Sequence, residues 1–333
     1  MKRRISVAVC AVLFFAICVF ALMYGSYTMS PAEVFDTLLH GGDNSQHLAI
    51  WGIRLPRMLV AVFVGAALAV SGCIIQGVTR NPLAEPGIIG INSGATLAVV
   101  LFISFRSAEY YSALQMSTVI LIPVIAALGA FIAAGLIWLL SLKRGRAGSN
   151  RLVLVGVGVN VAVSAIVTLI QLNMNRGSYN QALSWTNGSL WGTGFEYLAM
   201  IGPLTVVIFG VLMYRGLTLD VMNLGDEIAT GLGIDVERER RRLLILAVLL
   251  AAGATAVAGN ISFVGLLGPH LAQNLVGPVH RRKLPMAAVI SGALVVLADT
   301  LSRNLFSPLE IPVGITLSLI GVPYFIYLML KEK

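Results

Sequence analysis

The sequence predicts an all-α polytopic membrane protein with about ten transmembrane helices. Of its 333 residues, 57% are hydrophobic and only 11% are charged, whereas soluble domains carry roughly 25% charged residues. The mean hydropathy of +0.88 agrees with this class. Apolar runs close to the ~20 residues that cross a bilayer recur along the whole chain. We therefore expect a single transmembrane domain over residues 1–333.

Ten apolar runs are candidate spans, and the seventh and eighth are short and interrupted by Gly and Pro. The ten runs cover residues 5–24, 58–78, 87–105, 118–142, 152–172, 198–214, 243–257, 261–275, 284–301 and 311–330. The first run resembles a signal peptide, but its apolar part is too long and no small-x-small cleavage site follows it. We expect it to be retained as a helix.

The distribution of basic residues predicts the orientation, because short cytoplasmic loops collect Lys and Arg. An internal N-terminus places 18 of the 23 basic residues in the cytoplasm, and an even number of spans places the C-terminus there too. The basic residues left outside are Arg54, Arg57, Arg106, Arg176 and Arg303. The net charge of +8 therefore reflects topology and does not indicate nucleic-acid binding.

A short external helix is predicted after the first span. Ser30 fits the N-cap, Pro31 the first helical position and Glu33 the third, which together form a capping box. Gly41 is suited to end the helix, so the prediction covers residues 31–40. In contrast, we expect residues 173–195, with interfacial aromatic side chains, to form an external loop.

Two arginines, Arg54 and Arg57, precede the second span on the side where cations are disfavoured. One interpretation is headgroup contact by snorkelling. The other is a docking point for an external carboxylate, since Arg pairs with carboxylates in bidentate geometry. Arg303 ends the ninth span on the same side, and Asp299 is placed one helical turn before it to form an ion pair.

The polar segment 215–242 lies between two long apolar runs and contains six acidic and five basic residues. Within it we predict a short helix over residues 226–232, with Ile228 and Leu232 on one face and the Gly231/Gly233 pair as its end. Such a helix is too small to fold alone. The segment is interpreted either as a solvated loop or as a docking element for a cytoplasmic partner.

Several stretches combine small and polar residues. The insert 81–86, with Asn81, Pro82 and Glu85, breaks the helical pattern, and it is either a tight turn or part of a pathway lining. The fifth span carries a polar stripe that includes Asn160, and a Gly-rich cytoplasmic loop, 143–151, precedes it. The three cysteines, all in predicted spans, show no metal-ligand spacing.

Motifs for direct catalysis are missing from the sequence. No Gly is followed by Lys, so there is no P-loop, and no Ser/His/Asp set or metal-ligand cluster is apparent. We expect no catalytic residue, no metal site and no directly bound cofactor. Only Glu85 and Asp299 are candidate intramembrane carboxylates, which makes an ion-coupled secondary transporter a weaker alternative. A membrane-embedded enzyme is a second weaker alternative.

Eight motifs occur along the chain, at residues 54–57, 65–72, 76–77, 80–86, 90–95, 225–233, 265–270 and 311–323. Together they resemble one family, the FecCD-type permeases of ABC importers for ferric siderophores, haem and vitamin B12. The resemblance implies a BtuC-like type II ABC importer permease fold in the bacterial cytoplasmic membrane. It also implies a second permease subunit, cytoplasmic ATPase subunits that bind ATP and Mg²⁺, and an external binding protein. An iron–siderophore complex is the expected cargo, with haem or cobalamin as alternatives.

The resemblance also assigns roles to residues. Docking of the binding protein would fall to Arg54, Arg57 and Arg303. The segment 215–242 would hold the coupling helix that contacts the ATPase, with the residues Gly225, Asp226, Glu227, Ala229, Gly231 and Gly233. The fifth and tenth spans would line the pathway, together with Asn81, Pro82, Glu85, Gly145, Gly148 and Asn160.

Overall fold

A computed structural model describes residues 2–25, 27–105, 116–143, 146–147, 149–305 and 309–331. Apart from one small hairpin, the regular structure is helical. The helices are α1 (Lys2–Met23), α2 (Pro31–His40), α3 (Asn44–His47), α4 (Leu55–Thr79), α5 (Ile91–Phe105), α6 (Met116–Ser141), α7 (Ser149–Leu172), α8 (Arg176–Thr186), α9 (Phe195–Met222), α10 (Asp226–Gly231), α11 (Val236–Ala258), α12 (Val264–Val276), α13 (His280–Asn304) and α14 (Val313–Lys331). A π-helical turn, Leu48–Arg54, joins α3 to α4, and a 3₁₀ turn, Pro86–Ile89, precedes α5. Strands β1 (Leu142–Lys143) and β2 (Arg146–Ala147) pair antiparallel.

The prediction of an all-helical polytopic membrane protein is confirmed. Among the described residues, eight helices are long and apolar enough to cross a bilayer. Shorter helices occupy the remaining two predicted spans, with 15 residues in α5 and 13 in α12. The seventh span is not short as predicted, because α11 has 23 residues and starts well before the apolar run.

Local interactions explain why α11 begins early. The Asp235 side chain accepts a hydrogen bond from the Arg238 N–H at 3.1 Å and caps the helix. One turn on, Arg240 pairs with Glu237 at 3.3 Å and Arg242 with Glu239 at 2.5 Å. Since α9 likewise continues to Met222, the polar segment consists mostly of two helix ends.

The short helix predicted after the first span, α2, forms from Pro31 to His40. The Ser30 Oγ accepts from the Glu33 N–H at 3.3 Å, and the Glu33 carboxylate accepts from the Ser30 N–H at 2.7 Å. Gly41, with φ of 90°, ends the helix. The loop predicted over residues 173–195 instead contains α8, which Asn175 caps by accepting from the Ser178 N–H at 2.9 Å.

Helix α4 is the centre of the bundle and packs against α9, α11, α12 and α13. Of its most apolar 18-residue stretch, 78% is buried, compared with 11% for α1 and for α7. A methyl group on Gly72 of α4 would overlap the carbonyl of Gly265 in α12. Helices in lipid gain little from hydrophobic burial and associate through such close backbone contact.

Candidate functional site

A polar cavity of about 330 Å³ lies between α5 and α7. A second space of about 520 Å³ adjoins it beside α14 and shares Thr186, Asn260 and Ser262 with it. These two spaces bring the fifth and tenth predicted spans, α7 and α14, to one polar region. Both spans had been expected to line a pathway.

Neutral hydroxyl and amide groups supply the polar part of the first cavity. Its polar lining residues are Asn92, Ser93, Thr96, Asn160, Ser164, Thr168, Gln171, Thr186, Asn260 and Ser262. Three of their buried polar atoms, on Thr96, Gln171 and Asn260, have no hydrogen-bond partner among the described residues. Buried polar atoms normally find a partner, so these three are available to water or to a passing solute.

The six residues predicted for the pathway divide into four groups. Asn160 lines the cavity, where its Nδ2 donates to the Gly87 carbonyl at 2.9 Å and its Oδ1 accepts from Ser93 at 2.6 Å. The Glu85 carboxylate accepts from the Phe263 N–H at 3.0 Å and so joins the α4–α5 connection to the start of α12.

Asn81 and Pro82 do not line either space, because they form the turn that follows α4. In that turn the Asn81 Oδ1 accepts from the Leu83 N–H at 2.9 Å. The tight-turn interpretation therefore fits these two residues, and their place on the pathway stays a prediction. Gly145 and Gly148 lie outside the described residues.

The three arginines predicted to dock a partner lie together at one end of the bundle, but they are already engaged within the protein. Arg54 is 5% exposed and donates to the carbonyls of Leu22 at 2.6 Å, Met23 at 3.2 Å and Tyr27. Burial and internal pairing rule against the snorkelling interpretation for Arg54.

Arg57 forms the centre of this cluster. Its Nε and Nη2 both donate to the Asp299 carboxylate, at 2.8 to 3.1 Å. Its Nη1 donates to Glu310 at 3.0 Å. Arg303 lies 3.4 Å from the Asp299 carboxylate, so the predicted i,i+4 ion pair is present. The side chain of Asp299 is only 4% exposed, whereas that of Glu310 is 36% exposed.

The short helix α10 occupies the position predicted for the coupling helix. It ends in a Schellman motif, in which the Ile234 N–H donates to the Ala229 carbonyl at 3.0 Å and the Gly233 N–H to the Thr230 carbonyl at 2.9 Å. Gly233, with φ of 84°, occupies the left-handed position that this motif requires. Gly231 is simply the last helical residue, so the predicted role of the Gly231/Gly233 pair belongs to Gly233 alone.

The two faces of α10 differ in burial. Ala229 is completely buried against its own protein, whereas Ile228 and Leu232 are 52% and 64% exposed. Glu227 is also exposed. The helix therefore presents two large apolar side chains, as the sequence predicted, together with a carboxylate.

Asp226, in the first turn of α10, is held between two other helices. Its carboxylate accepts two hydrogen bonds from Arg240 of α11, both at 3.0 Å, and pairs with Arg80 at the end of α4. Burial raises the pKa of Asp226, but the hydrogen bonds and charges of Arg240 and Arg80 outweigh burial and lower the pKa below its usual value. The carboxylate is consequently ionised at neutral pH, and this ion-pair cluster is named the Asp226 clamp.

Sequence reasoning missed the residues that complete these sites. Arg80 was noted only as a basic residue and a motif position, Arg240 only as a basic residue, and Glu310 was not singled out. Their partners are 146, 14 and 253 residues away along the chain, so no local pattern indicates them.

Eight helices long enough to cross a bilayer among the described residues, together with the polar cavity between α5 and α7, define the chain as a multi-pass membrane permease. The chain belongs to the FecCD transport family, whose model matches residues 12–331. It is a multi-pass permease subunit of a bacterial ABC importer. This membership confirms the resemblance and removes the two weaker alternatives, a secondary transporter and a membrane enzyme.

Individual relatives align with almost the whole length of this chain. The iron(3+)-hydroxamate import system permease protein FhuG of Bacillus subtilis is 42% identical, covering 100% of this chain and 98% of its own. The hemin transport system permease protein HmuU of Yersinia pestis is 39% identical, covering 96% and 95%. A solved inward-facing structure, assigned to the metal-chelate type of ABC transporter, has a TM-score of 0.84 at 30% identity and covers 98% and 99%.

Proposed function

We propose that this permease carries an iron(III)–siderophore complex across the cytoplasmic membrane, using ATP hydrolysed by separate subunits. The observation that carries the proposal is the neutral lining of the cavity beside α7. A siderophore already encloses its ferric ion, so the pathway meets an organic surface rich in oxygen and nitrogen. Hydroxyl and amide side chains bind such a surface through weak, exchangeable hydrogen bonds, which suits transit.

A second permease subunit, either another copy or a related chain, completes the pathway. Ser164 and Thr168 point from α7 into the cavity and are exposed in the single chain. Polar groups facing lipid are costly, whereas a second subunit would enclose them in a water-filled path. Leu154 and Val161, 72% and 66% exposed on the same helix, offer apolar contact to it.

The cargo is tested by uptake in cells with and without this chain. We expect loss of the chain to abolish uptake of a labelled ferric hydroxamate while leaving haem and cobalamin uptake unchanged. The complex purified from the same cells is expected to contain two permease chains and a P-loop ATPase. If only haem uptake or only cobalamin uptake were lost, that compound would be the cargo instead of the siderophore complex. If uptake of all three compounds were unchanged, the siderophore assignment would be rejected.

An external binding protein docks at the arginine cluster. This is supported by the unequal exposure of the two carboxylates within the cluster, Asp299 and Glu310. Asp299 is buried, whereas Glu310 is partly exposed and holds only Nη1 of Arg57. A glutamate on the binding protein would exchange with Glu310 and pair with Arg57. Arg54 and Arg303, through their contacts with neighbouring carbonyls and Asp299, would hold Arg57 and its surroundings in place.

This exchange makes a prediction for Glu310→Gln. Removing the competing carboxylate is expected to strengthen binding of the cargo-loaded binding protein about twofold to fivefold, the equivalent of one partly exposed ion pair. Affinity would be measured by surface plasmon resonance on permease in nanodiscs. Asp36→Asn, which removes an exposed carboxylate that among the described residues pairs with His40 alone, is the matched control. Unchanged or weaker binding of Glu310→Gln would contradict the exchange.

Helix α10 binds the cytoplasmic ATPase. Its exposed Ile228 and Leu232 would seat in a cleft of the ATPase, and the Asp226 clamp would transmit movement of α10 to α4 and α11. Closure of the ATPases on nucleotide would then bias the permease between outward-facing and inward-facing states. Gly225, Glu227 and Gly231 belong to the same segment and, like Gly233, would shape or present its surface.

A further inference from the structure

A groove of about 700 Å³ separates α1 from α13 on the outside of the bundle. Helix α1 lines it with Arg4, Val7 and Cys10, and α13 lines it with Arg282, Pro285 and Val289. Only 11% of the most apolar stretch of α1 is buried. The groove therefore lies at the periphery, where the bundle meets lipid, and away from the polar cavity beside α7.

Both walls of the groove, α1 and α13, have a basic residue at one end and uncharged residues beyond it. In the predicted orientation, α1 and α13 both run outward from the cytoplasm, and each begins its wall with an arginine. The next lining residues, one and two turns further on, are uncharged, so the groove extends about 10 Å into the bilayer beyond the two guanidinium groups. Arg4 and Arg282 are exposed, and neither pairs with a carboxylate among the described residues.

We propose that this groove binds an anionic phospholipid of the cytoplasmic leaflet. Its phosphate headgroup would lie between Arg4 and Arg282, and one acyl chain would fill the apolar part of the groove. Basic pockets between transmembrane helices on the cytoplasmic side suit anionic headgroups. The match between a charged end and an apolar length selects an amphiphile over a soluble anion, which would contact only the guanidinium groups.

Native mass spectrometry of the purified permease tests the site, with phosphatidylglycerol and phosphatidylcholine supplied in equal amounts. We expect the wild-type protein to retain phosphatidylglycerol preferentially. Because each arginine near a membrane surface contributes about fivefold to the affinity for anionic lipid, Arg4→Gln combined with Arg282→Gln should lower this preference about 25-fold. Ala11→Trp, which places a large side chain in the groove, should reduce binding of both lipids without changing the charge.

The matched control is Arg281→Gln, which removes an exposed charge from the same turn of α13 but lies outside the groove. It should leave the preference unchanged. Glycerol phosphate, which has the headgroup but no acyl chain, should not displace the lipid. Equal retention of the two lipids by the wild-type protein, an unchanged preference in the double variant, or an equal loss in Arg281→Gln would each overturn the proposal. Retention of neither lipid would also overturn it, and would indicate a protein segment as the occupant.

Discussion

Replacing Asp299 with Asn is expected to destabilise the permease by about 3–5 kcal/mol, the cost of breaking a buried ion pair from one side. The Asp299 carboxylate accepts three close contacts from Arg57 and lies 3.4 Å from Arg303. With a neutral side chain at this position, two largely buried arginines would be left with Glu310 as the nearby carboxylate among the described residues. A loss of this size is a large fraction of typical folding stability.

The measurement is thermal unfolding in detergent, followed by the monodisperse fraction in size-exclusion chromatography. Glu310→Gln is the matched control, since it removes a charge from the same cluster where the side chain is 36% exposed. Its effect on stability should stay below about 1 kcal/mol. If Asp299→Asn were as stable as the wild-type protein, Arg57 would not depend on this pair and would be free to dock a partner directly.

Asp226→Asn is expected to reduce transport at least fivefold while leaving ATP hydrolysis by the assembled complex largely intact. The Arg240 guanidinium, 9% exposed, would keep only Glu237 as an anionic partner, and an unsatisfied buried group costs about 1–3 kcal/mol. Because α10 packs on the protein mainly through α9 and α11, we expect this cost to displace α10 rather than to unfold the bundle.

The ratio of cargo imported to ATP hydrolysed, measured in proteoliposomes with the ATPase and binding protein, reports this effect. Arg80→Gln should lower the ratio in the same direction, because it removes another member of the Asp226 clamp. Glu227→Gln removes the same charge one residue further along α10 without breaking a described ion pair, so it should lower the ratio less than Asp226→Asn does. If Asp226→Asn and Glu227→Gln behaved alike, the charge of α10 rather than its attachment would explain the loss.

The features that the sequence predicted well depend on neighbouring residues. The capping box at Ser30 and Glu33 placed α2 at its observed bounds, because its donors and acceptors lie within one turn. Hydrophobic length located the spans, since each must satisfy its own backbone and match the bilayer. The same criterion placed the start of α11 too late, because capping and ion pairs extend a helix into water where hydropathy gives no signal.

The sequence by itself determined that this chain is a multi-pass α-helical permease of the FecCD family, and where its polar segments lie. Only the tertiary structure decided that Arg57 pairs with Asp299, 242 residues away, and that Asp226 is held by Arg80 and Arg240. It also decided that Asn160 faces a cavity while Asn81 and Pro82 form a turn. A sequence shows where charged and amide residues occur but not which partners they contact. Those partners are fixed by which helices pack together, and no local pattern encodes that packing.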